Sequence, residues 1–309
     1  SAATSDNALI TVFYDSSVDN IDDIIATKSS NSHVVKGGLL GTDYTITLNA
    51  NGETESVDPT SITVTPGSVI GELPTPTSTK NHKTFLGWFT GVTDGVEVDS
   101  NYLPFDSVTL YAHWEYHPEA TFDTGTSVNA KIKNMTGNIT NATPDTYDDN
   151  LEQIKVGQTL PNNFTPTTAN TISTNDSDEP IYIWYDSNDK ILYYYTEAEK
   201  IDLNENASSM YKRLRKLESI ENINSWDTSK TTSMSYMFSV AGYNATTFDI
   251  GDLSEWDTSS VTNMSYMFRS AGYSATTWNS IGTLKIYADN IRGMFFNCNN
   301  ANATLLIYL

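Results

Sequence analysis

The sequence predicts a multidomain, mainly β chain that closes in an α/β solenoid, and three observations carry that prediction. The first is internal repetition. Trp226-Asp227-Thr228-Ser229, followed by Met234-Ser235-Tyr236-Met237-Phe238, returns 30 residues later as Trp256-Asp257-Thr258-Ser259 and Met264-Ser265-Tyr266-Met267-Phe268. A period of this size marks units that bury their apolar sides only by stacking on one another. The second is period-two alternation in short runs, as in Tyr44, Ile46 and Leu48, or Val108, Leu110, Ala112 and Trp114, which is the signature of half-buried strands. The third is bulk character. The 309 residues are too many for one ordinary core, and 38% hydrophobic with 11% aromatic residues describes folded modules.

Taken in order, residues 1–41 form an N-terminal segment with one readable strand, Ala8 to Tyr14. Residues 42–116 form a small sheet module. In it, the Tyr44 to Leu48 strand leads to a turn at Asn51-Gly52, Ile62 and Val64 alternate before Pro66-Gly67, and Pro74 and Pro76 break the chain before Phe85-Leu86-Gly87-Trp88-Phe89. Residues 117–205 read as a β-rich connector, with Val128, Ala130 and Ile132 on a strand. Its clearest feature is a hairpin of Ile181 to Tyr185 and Ile191 to Tyr195 around Asp186-Ser187-Asn188-Asp189. Residues 206–309 hold the repeats, in which Met210-Tyr211, Met237-Phe238, Met267-Phe268 and Met294-Phe295 recur at intervals of 27, 30 and 27. Met264, Met267 and Phe268 stand at helical spacing, so each unit is expected to carry a short helix capped by Thr262 or Ser260, with its strand between Thr246 and Leu253. The final run, Thr304 to Leu309, reads as the strand of a further unit, so the solenoid is expected to continue.

Two resemblances follow from these words. Tyr44-Thr45-Ile46-Thr47-Leu48-Asn49-Ala50-Asn51-Gly52, Val69-Ile70-Gly71-Glu72-Leu73-Pro74, Phe85-Leu86-Gly87-Trp88-Phe89 and Val108-Thr109-Leu110-Tyr111-Ala112-His113-Trp114 resemble a Listeria-Bacteroides repeat of the internalin B type, departing from it at Glu53, where a second glycine is usual. That resemblance implies a β-grasp-like spacer or interaction module. The Trp-Asp-Thr-Ser word followed by Val261-Thr262-Asn263-Met264-Ser265-Tyr266-Met267-Phe268 resembles the BspA-like leucine-rich-repeat surface proteins of bacteria. It implies a leucine-rich-repeat-like solenoid used in adhesion.

Charge narrows the functional classes. Lys+Arg of 17 against Asp+Glu of 38 gives −21, which repels nucleic-acid backbones and anionic lipid. One cysteine, Cys298, excludes an internal disulfide framework and a cysteine-based zinc cluster. Leu73-Pro74-Thr75-Pro76-Thr77 lacks the glycine of a wall-sorting signal, so the address is expected to be the bacterial cell surface with the anchor outside this chain. We expect a monomer that inserts in no membrane.

Motifs with catalytic or metal-binding chemistry are weak. His113 and His117 flank Glu115, but on a strand end and not on the helix that metal-assisted hydrolysis uses. Ser209-Met210-Tyr211-Lys212 fits S-x-x-K, yet the repeat register accounts for those residues. Asp176-Ser177-Asp178-Glu179 and the aspartates of 145–149 could gather around calcium, but neither follows the EF-hand pattern and both read better as solvated loops. No cofactor, catalytic residue or metal ligand is therefore expected, and the chain is read as a non-enzyme.

Two clusters could meet a partner, expected to be a host-cell or matrix protein or a surface glycan. Lys212, Arg213, Arg215 and Lys216 concentrate positive charge that would draw an anionic glycan or acidic protein patch, with a solvated helix face as the alternative. Tyr182, Trp184, Tyr193 and Tyr195 offer flat rings for stacking, with a structural cap over the repeats as the alternative. A stalk for a distal domain and an accessory module of an exported enzyme are the rival functions.

Overall fold

The structure is a computed structural model that describes residues 26–29, 32–35, 42–298 and 304–307. The chain divides into two compact units, 1–115 and 116–309. The strand read at Ala8 to Tyr14 lies outside the described residues, as do the residues beside Thr304–Ile307. In the first unit, Ala26–Ser29 pairs antiparallel with Ser32–Val35.

The rest of the first unit is the sheet its alternation predicts. Val108–Tyr116 sits at its centre, parallel to Tyr44–Asn49, which pairs antiparallel with the edge strand Ser61–Val64; Lys83–Phe89 and Glu97–Val98 lie on the other side. Ile46, Leu48, Val64, Trp88, Val98, Leu110 and Ala112 form its core. Glu55 is clamped beside that sheet by Lys83, Thr54 and Ser78. Against the upward push of burial, those partners hold its carboxyl down at about 2. The described residues of this unit contain no helix.

The second unit opens with a correction. Val128 and Ile132 lie on a helix, α1 (Gly125–Gly137), and not on a strand. The buried set Val128, Asn129, Ile132, Lys133 and Thr136 explains why: those positions share one face of a 3.6-residue helix, and the alternation at 128, 130 and 132 is incidental to it. The helix stops at Asn138, whose φ of 48° is left-handed. A four-stranded sheet follows, in the order Tyr182–Asp186, Ile191–Tyr195, Gln153–Val156 and Ser219–Ile220. The predicted hairpin is its antiparallel edge pair.

The repeats stack in parallel, bridging Asn206 to Ser233, Ser233 to Asn263 and Asn263 to Asn290. The expected helix at Met264 to Phe268 is absent, and so is the α/β alternation it would have given. Each unit instead forms a ribbon of overlapping four-residue turns, in which the N–H groups of Met237, Ser239 and Ala241 donate to the carbonyls of Met234, Tyr236 and Phe238. The intervening N–H groups of Tyr236, Phe238 and Val240 donate to Ser265, Met267 and Arg269 in the next unit. The same two sets recur from 207 to 214, from 264 to 271 and, within the turns, from 291 to 298.

Alternate backbone groups are thus satisfied within the turn and across the stack, which leaves none for an i to i+4 helix. Every fourth residue must then turn left-handed: Ser209 and Arg213, Tyr236 and Val240, Tyr266 and Ser270, and Gly293 and Asn297 all have positive φ. Helical spacing of the methionines and phenylalanines arises because this ribbon also turns its apolar side chains inward at intervals of three and four.

Beside the ribbons run short parallel strands, Thr247–Phe248 with Thr277–Trp278 and Thr283–Ile286 with Thr304–Ile307, so the strand expected between Thr246 and Leu253 is only two residues long. Met210, Met237, Phe238, Met264, Met267 and Phe268 are fully buried, and their core is continuous with that of α1 and the hairpin sheet. Cys298 packs on its edge, with Sγ donating to Phe268 O, and burial pushes its thiol up to about 11.

Candidate binding surface

Strand pleating decides what the hairpin presents. Ile183, Leu192 and Tyr194 point into the core, while Tyr182, Trp184, Tyr193 and Tyr195 take the opposite face and stay half-buried. Register places Tyr182 opposite Tyr195 and Trp184 opposite Tyr193. The Trp184 and Tyr193 rings stack at 5.4 Å with 14° between planes. Phe164 closes on the edge of the same group, 5.4 Å from Tyr182 and 6.2 Å from Trp184. Gly157 is required beneath it, since a Cβ there would lie 2.1 Å from Trp184 Cη2. Tyr195 donates to Glu197, which raises its phenol. The structure therefore brings the four predicted rings together, and adds Phe164. Its contribution depends on a loop folding back, which no local pattern signals.

The basic cluster has a different fate. Lys212 Nζ lies 2.9 Å from Asp145 Oδ1 and 5.0 Å from the centre of the Tyr236 ring. Arg213 also pairs with Asp145 and covers the Tyr147 ring at 4.7 Å. Arg215 makes a two-pronged pair with Asp149 and lies 4.5 Å over Tyr147. Lys212 holds the Asp145 carboxyl below its usual range, and Asp149 raises the Arg215 guanidinium. Only Lys216, half-buried, makes no ion pair among the described residues.

The expectation of an open cationic patch is therefore corrected for Lys212, Arg213 and Arg215. Their charge is spent on the 143–149 loop, a long-range pairing that spacing in the sequence does not reveal. Nor do these residues form a helix face, because they belong to the first turn ribbon.

The weaker motifs are built into local structure. His113 stacks on Phe89 at 4.0 Å, with Nε2 2.9 Å from Gly91 O. His117 Nδ1 lies 2.7 Å from Glu199. Ser209 occupies a left-handed ribbon position, and Lys212 points to Asp145. Asp148 accepts from Thr136 and the backbone of Asn150 and Leu151, and Asp178 accepts from Glu119 N. Among the described residues no group of three or more His, Cys, Asp or Glu is placed to hold a metal ion.

Two features escaped the sequence reading. The N-terminal edge of the ribbon stack is closed by α1, where Gly125 N donates to Asn206 O and Asn129 Nδ2 donates to Met210 O and Lys212 O at 3.2 and 3.0 Å. Beside it, Lys200 bridges Asp202 and Asp227 at 2.9 and 2.8 Å, and Lys230 reaches Asp202 at 2.6 Å. No helix among the described residues is long and apolar enough to cross a membrane.

Two family models match parts of the chain. Residues 44–113 match the Listeria-Bacteroides repeat domain, and residues 197–307 match a family described as Mycoplasma protein of unknown function, DUF285. Neither the curated proteins nor the solved structures contain a significant match. The second match begins at the Lys200 bridge and runs through the stacked ribbons. The first match makes the sheet of the first unit a repeat module of a kind typical of surface proteins, which suggests a surface repeat protein.

Proposed function

We propose that the chain is a non-catalytic recognition segment of a bacterial surface protein, which adheres to a protein or glycan of a host or neighbouring cell through the aromatic face of its hairpin. The observation that carries this reading is the set Tyr182, Trp184, Tyr193, Tyr195 and Phe164: rings half-exposed on one side of a sheet whose other side is core. Tyrosine and tryptophan in this setting dominate binding hot spots. We read residues 206–309 as BspA-like leucine-rich repeats. Residues 42–116 are read as an internalin B-type, β-grasp-like module, a reading supported by the parallel pairing of Tyr44–Asn49 with Val108–Tyr116 in a five-stranded sheet. The local roles of His113, His117, Ser209 and Lys212 support a chain without catalysis.

The test is saturable binding of the fragment to immobilised matrix proteins and glycans, compared with Trp184→Ala and Tyr193→Ala after circular dichroism has shown that both fold. Saturable binding that weakens by about tenfold or more in the variants supports the reading. Binding that both variants retain in full overturns it. Absence of saturable binding also overturns it and favours a stalk, a second reading supported by ribbons whose backbone bonds are satisfied within the stack.

A further inference from the structure

Apart from the hairpin, the outer face of the ribbons has a chemistry of its own. The four ribbons span 206–216, 233–243, 263–273 and 290–298. They contain no aspartate or glutamate in a chain with 38 of them, yet hold six of its 17 basic residues: Lys212, Arg213, Arg215, Lys216, Arg269 and Arg292. On the first ribbon, Lys212, Arg213 and Arg215 are neutralised by the 143–149 loop. Further along the stack no loop among the described residues supplies such partners, and Arg269 and Arg292 are exposed without an ion pair there.

These two arginines converge on one ring. The guanidinium carbons of Arg269 and Arg292 lie 5.8 and 6.0 Å from the centre of Tyr266, which in turn stacks on Tyr236 at 5.1 Å and 22°. Register produces the grouping. Tyr266 N donates to Arg292 O, which sets Arg292 one rung along from Ser265, and the Phe268 N to Met294 O bond carries the same 27-residue step from Arg269 to Phe296, which is 62% exposed. Gly293 takes the position of Tyr266 one rung on, where a Cβ would stand 2.5 Å from the tyrosine ring, and so leaves room for that ring to lie over it. The result is a strip of half-exposed rings flanked by guanidinium groups.

We infer that this strip binds an acidic polysaccharide. Tyr236 and Tyr266 stack on sugar faces, and Arg269 and Arg292 take its carboxylate or sulfate groups by charge-assisted hydrogen bonds. A net charge of −21 does not forbid this, because salt screens exposed charges more than about 10 Å away and the strip itself carries no carboxylate. A neutral glycan would leave both guanidinium groups unused. The inference is independent of the hairpin reading and uses none of its residues.

The test is titration calorimetry of the fragment with heparin, polygalacturonate and dextran, as the sulfated, carboxylated and neutral probes. Wild type is expected to bind one or both polyanions, and not dextran. Arg269→Ser/Arg292→Ser is expected to weaken that binding by about tenfold or more with an unchanged melting temperature, and Trp184→Ala to leave it intact. Preference for heparin or for polygalacturonate assigns sulfate or carboxylate as the group recognised. Binding of neither polyanion overturns the inference, as does equal binding by the double variant. Loss of binding in Trp184→Ala alone would move the site to the hairpin and overturn it equally.

Discussion

Phe238 and Phe268 lie 30 residues apart in the chain and 5.3 Å apart in space, with 4° between their ring planes. Tyr211 extends the column on one side at 5.5 Å, and Phe295 on the other at 5.0 Å. One ring per unit in the same place is the physical content of the repeat. The column exists only because each ribbon donates alternate N–H groups to its successor, and that register also sets the arginine and tyrosine strip on the outer face.

Beside this column the short strand that holds Phe248 leaves no room at Gly242, where φ is +61° and a Cβ would sit 2.2 Å from Phe248 Cδ2 and 2.7 Å from Leu217 O. Gly242→Ala is expected to cost about 3 kcal/mol through left-handed strain and overpacking together. Gly71, with φ +74° and open space around it, is the contrast: Gly71→Ala carries only the backbone cost, about 1 kcal/mol. Urea denaturation of the two variants checks the difference.

Asn129 closes the carbonyl edge of the first ribbon from inside a fully buried position. Asn129→Ala strands the buried Met210 carbonyl and removes the donor of the part-buried Lys212 carbonyl, and is expected to destabilise the second unit by about 1–3 kcal/mol. Denaturation followed by the near-ultraviolet signal of the aromatic column reads that loss.

Lys133, fully buried in α1 with its ammonium on Thr143 O and Pro144 O, has its pKa driven down to about 7 by burial, opposed by nearby Asp148. In the unfolded chain it returns to about 10.4, so between those values the unfolded state binds more protons. Its contribution is therefore most favourable above about 10.4 and is lost as pH falls through about 7. Relative to Lys133→Met, wild type should gain about 2–3 kcal/mol between pH 7 and 9.5. Parallel stability profiles for the two proteins would show that the lysine does not titrate in this window.

Much of this fold was legible. Alternation at Tyr44, Ile46 and Leu48 placed a strand, and the apolar runs around Asp186 to Asp189 placed the hairpin, because period two requires only neighbouring residues. The repeat words gave the units and their buried Met-Phe pairs. What was not legible depends on distant partners. Inward positions at intervals of three and four fit a helix and a turn ribbon equally, and only the bonds between Tyr236 and Ser265, or Phe238 and Met267, decide between them. For the same reason Lys212, Arg213 and Arg215 read as an open patch until Asp145 and Asp149 are brought to them. Arg269 and Arg292, 23 residues apart in sequence, join on one tyrosine only through the stack.

Amide hydrogen exchange across residues 234–241 tests the stacked ribbon most directly. The N–H groups of Tyr236, Phe238 and Val240, which bond to the next unit, are expected to be protected together with those of Met237, Ser239 and Ala241, which bond within the turn, and both sets are expected to open in one cooperative step. Rapid exchange at Tyr236, Phe238 and Val240 beside slow exchange at the other three would show units that turn without joining, and would contradict the stacked ribbon.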